Sequence, residues 1–448
     1  MKTTFKGGIR LKNKKKRTFA SPIERISGAP EMVFPLRQNA GAELYPLVGV
    51  GDKVYVNQKI ADNKDAIAVP IHSSVSGRVI AIEERDYSDG SKRNAIIIEN
   101  DNKDMELFNK SELPEIQDVN ELTNQEFIDI VREAGISGMG GGAFPTYAKI
   151  EKCIDKEIDF LIINGAECEP YITADHRAMV EYPRQILGGV VLLMKILKPK
   201  QTFVAVEDNK DDAVFTLKTV VQSMEIDIKI KEIVTKYPQG SEKQLIKAIA
   251  KREIPPGALP ADVGCMVFNV DTCAAIYRAV HQRHPVIMRV VTVSGSAIKK
   301  PKNLLARIGT PIEYLIECCG GFETEPAKII IGGPMMGTAQ HSISVPITKG
   351  ASAVLALVEK DYYFEKNPVC IRCGKCISVC PVRLMPVYIC MYADRHDFRK
   401  CEELNVNDCI ECGACSYICP GRMHLVSSAR LAKFSVKQMI KERGGNNE

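Results

Sequence analysis

The sequence predicts a multidomain chain that mixes α/β and α+β architecture, and three observations carry that reading. Short β-rich segments follow one another near residues 47–100; apolar strands alternate with helical segments from about 123 to 251; and one cysteine pattern occurs twice between Cys370 and Pro420. The 448 residues leave room for about three domains. With 45% hydrophobic and 26% charged residues, each can build a core. The longest apolar run, Ile186 to Met194, is broken by Lys195 and is far shorter than a bilayer span, so the chain is not expected to cross a membrane itself. Half of the sixteen cysteines sit in the repeated pattern and no apolar signal segment precedes them, which points to a reducing cytoplasm rather than a secreted disulfide protein.

Residues 1–30 read as a basic arm. Its first seventeen residues carry Lys2, Lys6, Arg10, Lys12, Lys14, Lys15, Lys16 and Arg17 with no acid among them. Such a segment suits an anionic lipid surface or an acidic partner, or is simply solvated and disordered. No nucleic-acid partner is expected. Residues 31–105 follow as a β module, with runs at Val48–Val56, Ile71–Ile82 and Asn94–Glu99. The pair "VGDKVYVNQKIA" and "HSSVSGRVIAI" resembles the barrel-sandwich hybrid of biotinyl and lipoyl domains. Where those domains carry a modified lysine, this chain has His72-Ser73-Ser74, so the module is expected to pack or dock rather than carry a cofactor.

Residues 115–260 are read as a Rossmann-like domain. Thr123-Asn-Gln-Glu126 is a capping box, Phe127, Ile130, Val131 and Ala134 keep helical spacing, and Gly135 closes the helix. A glycine loop follows, Gly138-Met-Gly140-Gly141-Gly142-Ala-Phe144-Pro145-Thr146. Without side chains in the way, its backbone N–H groups can face a phosphate. Strands at Phe160–Asn164, Thr202–Val206 and Ile226–Ile230, with helices near 176–197, 210–224 and 240–251, argue for a parallel sheet. Ligands bind such sheets at the carboxyl ends of strands, and the first strand runs into Asn164-Gly-Ala-Glu167-Cys168-Glu169-Pro170.

Residues 261–355 contain Val290-Val-Thr-Val-Ser-Gly295 and Asn303-Leu-Leu-Ala-Arg-Ile-Gly309, which resemble the β-grasp SLBB module and are expected to space domains. Residues 360–448 hold the repeated pattern C-x2-C-x2-C-x3-C-P, as Cys370, Cys373, Cys376, Cys380 and as Cys409, Cys412, Cys415, Cys419. This is the spacing of two-cluster ferredoxins, in which the fourth cysteine of each motif ligates the cluster of the other. Two [4Fe–4S] clusters are therefore expected, one on Cys370, Cys373, Cys376 and Cys419, the other on Cys409, Cys412, Cys415 and Cys380. Gly374 and Gly413 leave room for N–H groups to approach sulfur, and Pro381 and Pro420 stop the short turns. Zinc or disulfides are the plainer alternatives, but zinc sites prefer two separated C-x2-C pairs with four ligands in all. A helix from about His424 to Arg443 closes the chain. Cys153, Cys265, Cys273, Cys318, Cys319, Cys390 and Cys401 lack ligand spacing, and Cys168 reads as a buried thiol.

The glycine loop with Phe144-Pro145-Thr146, the Asn164 to Pro170 segment, Tyr237-Pro-Gln-Gly240-Ser-Glu242 and Asn269-Val-Asp-Thr272 together resemble the flavin- and NADH-binding subunit of respiratory complex I. Adding "FKGGIRL", the "PLVGVGDKV" module and the two cysteine motifs, nearly the whole chain resembles the C subunits of the Rnf electron-transport complex. The resemblance implies FMN over Gly138, Gly140, Gly141 and Gly142, with Asn164 and Glu167 near its ring and Asn269 and Thr272 closing the far side. It implies NAD(H) stacked on Phe144, with Lys149 on phosphate, Glu169 and Glu242 on ribose or amide, and Tyr237 within the same site. Two departures from the complex I pattern, Ala166 and Ser241, each replace an acid, which puts the contacts of those acids in doubt.

The function implied is that of an NADH-oxidising or NAD-reducing subunit of an ion-translocating NADH:ferredoxin oxidoreductase. It would lie peripherally on the cytoplasmic face of the cell membrane beside ferredoxin-like and membrane subunits and be coupled to Na+ or H+ movement. A hydride brings two electrons whereas a cluster takes one, so the flavin carries the chemistry and no protein acid or base is required. The rival readings are an electron-carrying or scaffold protein with an inactive nucleotide site, and a soluble cobalamin-reductase relative.

Overall fold

A computed structural model describes residues 3–107, 113, 118–119, 121–361 and 367–445; Lys2 of the basic arm lies outside them. The first strands are β1 (Ile23–Arg25), β2 (Glu31–Pro35), β3 (Tyr45–Pro46), β4 (Lys53–Val54), β5 (Lys59–Asp62), β6 (Ile71–His72), β7 (Gly77–Asp86) and β8 (Lys92–Asn100). Sheets ordered β2-β8-β7-β4 and β3-β5-β6 close over Met32, Phe34, Ile60, Ile71, Val79 and Ile96. The expected sandwich forms because alternate residues of each strand point inward. The His72–Ser74 turn is buried, and the Ser74 hydroxyl donates to the carbonyl of Ile308 at 2.7 Å. It is a packing surface.

The α/β domain follows as α1 (Asn124–Glu133), α2 (Thr146–Glu151), β9 (Phe160–Gly165), α3 (Ala174–Glu181), α4 (Pro183–Leu197), β10 (Gln201–Glu207), α5 (Asp211–Ser223), β11 (Lys229–Ile233), α6 (Glu242–Ile249), β12 (Cys265–Asn269) and α7 (Val270–Gln282). The sheet order is β11-β10-β9-β12, all parallel. Leu161, Ile163, Val204, Val206, Met266 and Phe268 fill one face, while Ile162, Ala205, Cys265 and Val267 fill the other. Burial on both faces is what a helix-covered parallel sheet demands.

Three expectations need correction. The helix drawn over 176–197 is two helices, because Pro183 has no N–H to continue α3 and instead starts α4 at its first position. The edge strand lies at 229–233 rather than 226–230, since Glu225 turns through a left-handed φ of 53° and the chain pairs with β10 only from Lys229. The domain does not end at residue 260: β12 pairs with the central strand β9, and α7 packs on it. That strand is five residues long and finds its partner about a hundred residues upstream, so no local pattern exposes it.

Next come β13 (Met288–Ser294), β14 (Lys302–Arg307), α8 (Ile312–Cys318), β15 (Lys328–Ile331), β16 (Thr338–Gln340) and β17 (Ala353–Leu357), in a sheet ordered β1-β14-β13-β17-β15-β16. The arm supplies its edge, with Ile23 paired to Asn303. Residues 3–30 are thus no free, solvated arm. Lys15 is 4% exposed, and Arg17 donates to the carbonyls of Gly295, Ile298 and Lys299. Lys6, Arg10, Lys12, Lys14 and Lys16 remain at the surface.

The last domain is α9 (Lys375–Val379), α10 (Pro386–Ala393), α11 (Phe398–Glu403), α12 (Ala414–Ile418) and α13 (Leu425–Gly445). α9 and α12 lie within the two cysteine motifs and carry their third cysteines, Cys376 and Cys415, and Gly374 and Gly413 precede them with φ of 72° and 78°, a backbone shape that favours glycine. α13 buries Ala429, Ala432 and Val436 against α10 and α11. Among the described residues no helix is long and apolar enough to cross a membrane.

Candidate active site

A cavity of about 440 Å³ opens at the carboxyl ends of β9 and β12, within the usual size of ligand sites. The glycine loop, the Asn164–Glu169 segment, the Tyr237–Glu242 turn, Asn269 and Thr272 surround it. Of the thirteen residues singled out for flavin and nucleotide, only Gly141 does not line it.

The loop is held from outside. Gly138 N donates to the Phe144 carbonyl at 2.8 Å, Met139 N donates to the Thr272 hydroxyl at 2.9 Å, and the buried Arg289 guanidinium donates to the Met139 carbonyl at 3.2 Å. The N–H groups of Gly140, Gly141 and Gly142 make no hydrogen bond among the described residues. A Cβ on Gly140 would lie 3.3 Å from the Asn269 side chain, whereas Gly141 and Gly142 face open space, Gly141 with φ of 100°. Free donors on a side-chain-free surface beside an open hollow fit a flat, phosphate-bearing cofactor such as FMN.

Asn164 ties the strand end to the far wall, since its Nδ2 donates to the Gly240 carbonyl at 2.8 Å and its Oδ1 accepts from Ala166 N. Asn269 caps α7 through its Oδ1 and donates through Nδ2 to Asp175 at 2.7 Å. Lys149 and Glu242 are engaged with each other at 2.6 Å, and Lys149 also donates to the Val267 carbonyl, so the pair must open or shift for either to meet a nucleotide. Phe144 is 40% exposed at the mouth, with a face available for stacking.

Glu167 accepts from Asp175 N at 2.8 Å and pairs with Lys15 at 3.4 Å. The Lys15 ammonium also donates to the carbonyls of Glu167 and Ile172. Burial holds the Lys15 amine below the usual lysine range, with Glu167 pulling the other way. Burial pushes Glu169 up to about 7, although Met335 N and Met336 N donate to its carboxylate at 3.1 and 2.9 Å. Asp175 is likewise pushed up to about 7 by burial and by Glu167 and Asp271. The Cys168 thiol is pushed up to about 12, chiefly by burial, which leaves no thiolate at neutral pH.

Sequence reasoning missed Lys15, Asp175, Met336 and Ile410. The last three line the cavity, and Lys15 reaches it through Glu167. Asp175 sits in the first turn of a helix that leaves the acidic segment, a usable signal; the others come from remote parts of the chain and carry none.

Cys380, Cys409, Cys412 and Cys415 line one small cavity of about 30 Å³. The Cys415 thiol is pushed up to about 12 by burial and then by Cys412, Cys409 and Cys380. Cys419 stands close enough to Cys376 to raise its thiol after burial has done so. Both pairings cross from one motif to the other. Backbone N–H groups reach sulfur at Cys370, Cys380 and Cys409, at 3.3 to 3.4 Å. Among the described residues no group of three or more His, Cys, Asp or Glu is placed to hold a single metal ion. Four thiols spread around a hollow suit a multi-iron core instead.

The two sites touch. Tyr237, 1% exposed, lines the flavin-sized cavity and donates its hydroxyl to the Cys412 carbonyl at 2.6 Å, while Ile410 of the second motif lines the same cavity. The arm clamps the joint: Gly8 N donates to the Val379 carbonyl, and Ile9 bridges to Tyr237.

A glycine-loop α/β domain with a buried link to a paired four-cysteine domain defines a flavin and iron–sulfur electron-transfer chain. Family models agree in chain order: the RnfC barrel sandwich hybrid domain over residues 3–103, the Nuo51 FMN-binding domain over 131–278, the SLBB domain over 290–339 and a 4Fe-4S dicluster domain over 363–420. The chain is 42% identical over 444 residues to the C subunit of the Na(+)-translocating ferredoxin:NAD(+) oxidoreductase complex of Acetobacterium woodii, covering 99% of each. It is 43% identical over 410 residues to the proton-translocating counterpart of Clostridium ljungdahlii, covering 91% of this chain and 88% of that one. The C subunit of the ion-translocating oxidoreductase complex of Rhodobacter capsulatus is 39% identical over 385 residues, with 86% and 73% covered. Among solved structures, an NAD+-reducing [NiFe]-hydrogenase in the H2-reduced state shares the fold, with a TM-score of 0.50 at 16% identity over 71% of this chain and 61% of that one. The chain belongs to the RnfC family, the C subunits of ion-translocating ferredoxin:NAD+ oxidoreductase complexes.

Proposed function

We propose that this chain exchanges electrons between NAD(H), an FMN in the 440 Å³ cavity and two [4Fe–4S] clusters, as a peripheral subunit on the cytoplasmic face of an Rnf complex that moves Na+ or H+. Its partners are the ferredoxin-like and membrane subunits of that complex. The link from Tyr237 to the Cys412 carbonyl carries the reading, because it joins the cofactor cavity to one cysteine set through a buried hydrogen bond.

FMN, when bound, supplies exchange of electron pairs on one side and of single electrons on the other. The chain's own residues bind and orient. Gly140, Gly141 and Gly142 offer N–H groups to phosphate, Thr272 and Arg289 hold the loop in place, and Asn164 and Asn269 fix the walls. Phe144 offers a stacking face, Lys149 and Glu242 open toward phosphate and ribose, and Glu169, held by Met335 and Met336, meets the nicotinamide side. One cluster is held by Cys409, Cys412, Cys415 and Cys380, on the flavin side; the other by Cys370, Cys373, Cys376 and Cys419, on the outer side, where Cys373 is exposed.

The test is anaerobic reconstitution of the full chain with FMN, iron and sulfide, followed by NADH-dependent reduction of an artificial acceptor and electron paramagnetic resonance of the clusters. Retention of one FMN and two clusters, all reducible by NADH, is the expected result. A chain that keeps its iron but neither retains flavin nor responds to NADH would be an electron carrier instead.

A further inference from the structure

A second hollow, of about 320 Å³, lies where the amino-terminal arm, α6 and the cluster domain meet, and it shares no residue with the flavin cavity. Its size is again that of a ligand site. Five cations line it, Lys6, Lys243, Lys247, Lys251 and Arg383, against two acids, Glu253 and Asp408. Lys247 pairs with Glu253 at 3.0 Å, and Lys243 stands 3.9 Å from Asp408. Lys247, and then Arg383 from beyond ion-pair distance, hold the Glu253 carboxyl low, while Lys6 reaches no carboxylate among the described residues. The balance is positive.

One residue of its lining, Gln244, also carries a buried polar atom without a partner. Gln244 is 5% exposed; its Nε2 donates to the Pro381 carbonyl at 3.2 Å, yet its Oε1 accepts nothing. Burying an acceptor unpaired is costly, so such an atom calls for a donor from something that enters. Phe5, Ile254 and Val382 supply an apolar wall beside it. Cations around the hollow, an unpaired buried acceptor on one of its lining residues and an apolar side together describe a ligand with negative charge at one end and a flat group bearing N–H or O–H donors at the other.

We propose that this hollow is a binding site for a nucleoside phosphate. The phosphates lie on Lys6, Lys247 and Arg383, where charge-assisted hydrogen bonds are strong, and an amine or hydroxyl of the nucleoside donates to Gln244 Oε1. Pro381 to Arg383 directly follow Cys380, so occupancy fastens the arm, α6 and the loop after a cluster cysteine to one another.

The experiment titrates the full chain, loaded with FMN and clusters, with ADP, adenosine and inorganic phosphate in a calorimeter, and repeats the ADP titration on Phe144→Ala to separate this hollow from the flavin cavity. One ADP per chain is expected, with adenosine and phosphate each at least about tenfold weaker. The double variant Lys247→Glu, Arg383→Glu should weaken ADP by at least about thirtyfold while keeping its flavin and iron; if it does not fold, Arg383→Ala alone should still weaken ADP by about threefold or more. Gln244→Met should weaken ADP and adenosine but not phosphate. Absence of ADP binding, phosphate binding as tightly as ADP, ADP affinity unchanged by the charge variants, or loss of ADP binding in Phe144→Ala would each overturn the proposal.

Discussion

The two cysteine motifs have the same spacing and the same local backbone, yet they stand in different surroundings. Arg372 and Glu411 both turn through left-handed φ, of 55° and 56°, and each donates its N–H to the sulfur two residues earlier. Gly374 and Gly413 precede matching short helices. Around the second motif, however, Tyr237 donates to Cys412, Ile410 enters the flavin cavity, and Met335 packs on Gly413, its carbonyl 3.2 Å from where a Cβ would stand. Around the first, Cys373 is exposed, Val369 and Ile371 are about two-thirds exposed, and a Cβ on Gly374 would meet nothing. Identical sequence rules build two cysteine sites; the domain packed against one of them makes it the inner one and leaves the other more exposed.

Substitution of one ligand in each set should produce the largest contrast. Cys412→Ser is expected to remove about half the iron and to abolish passage of electrons from NADH to the remaining cluster, whereas Cys373→Ser removes the other half and leaves NADH oxidation with an artificial acceptor within about twofold of the parent. Iron analysis with cluster spectroscopy under NADH reads both. Equal loss of acceptor reduction in the two variants would erase the distinction between inner and outer.

Alanine at the paired glycines comes next. Gly374→Ala and Gly413→Ala both force a side chain into left-handed backbone at about 1–2 kcal/mol, but Gly413→Ala also presses on the Met335 carbonyl and should lower the melting temperature further. Tyr237→Phe removes the hydroxyl from the Cys412 carbonyl and should cost about 1 kcal/mol in unfolding experiments, while slowing flavin-to-cluster transfer and leaving the iron content intact.

The smallest effect is a pH dependence. Burial raises Glu169 from 4.5 to about 7, so the folded chain binds this proton more tightly than the unfolded one. The corresponding stability is complete below about 4.5 and is lost as pH rises through about 7. Melting curves between pH 5 and 8 should therefore fall more steeply for the parent than for Glu169→Gln, whose amide does not titrate. A parallel fall in both would place the titration elsewhere.

Much of this is legible in the residues. The capping box at Thr123 and Glu126, the glycine loop, the strands read at 160–164 and 202–206, each within a residue of its observed ends, and the cysteine spacing can be read directly, because each depends on a few neighbouring residues. The family resemblance gathers Asn164, Glu167, Glu169, Tyr237, Glu242, Asn269 and Thr272 into a single site, and the cavity brings them together. Of the readings left open for the arm, the solvated one fails, since a run of eight cations looks solvated until Glu167 is seen to pair with one of them.

Caps, turns, helical periodicity and the spacing of thiols follow from short-range sterics and hydrogen bonding, so they are written in the chain and need no partner to be recognised. Which strand joins β9 from a hundred residues away, which lysine of the arm is buried, and which of two equal motifs meets the flavin cavity depend on contacts between distant segments. Those contacts compete for the same buried surface, and only the packed whole ranks them.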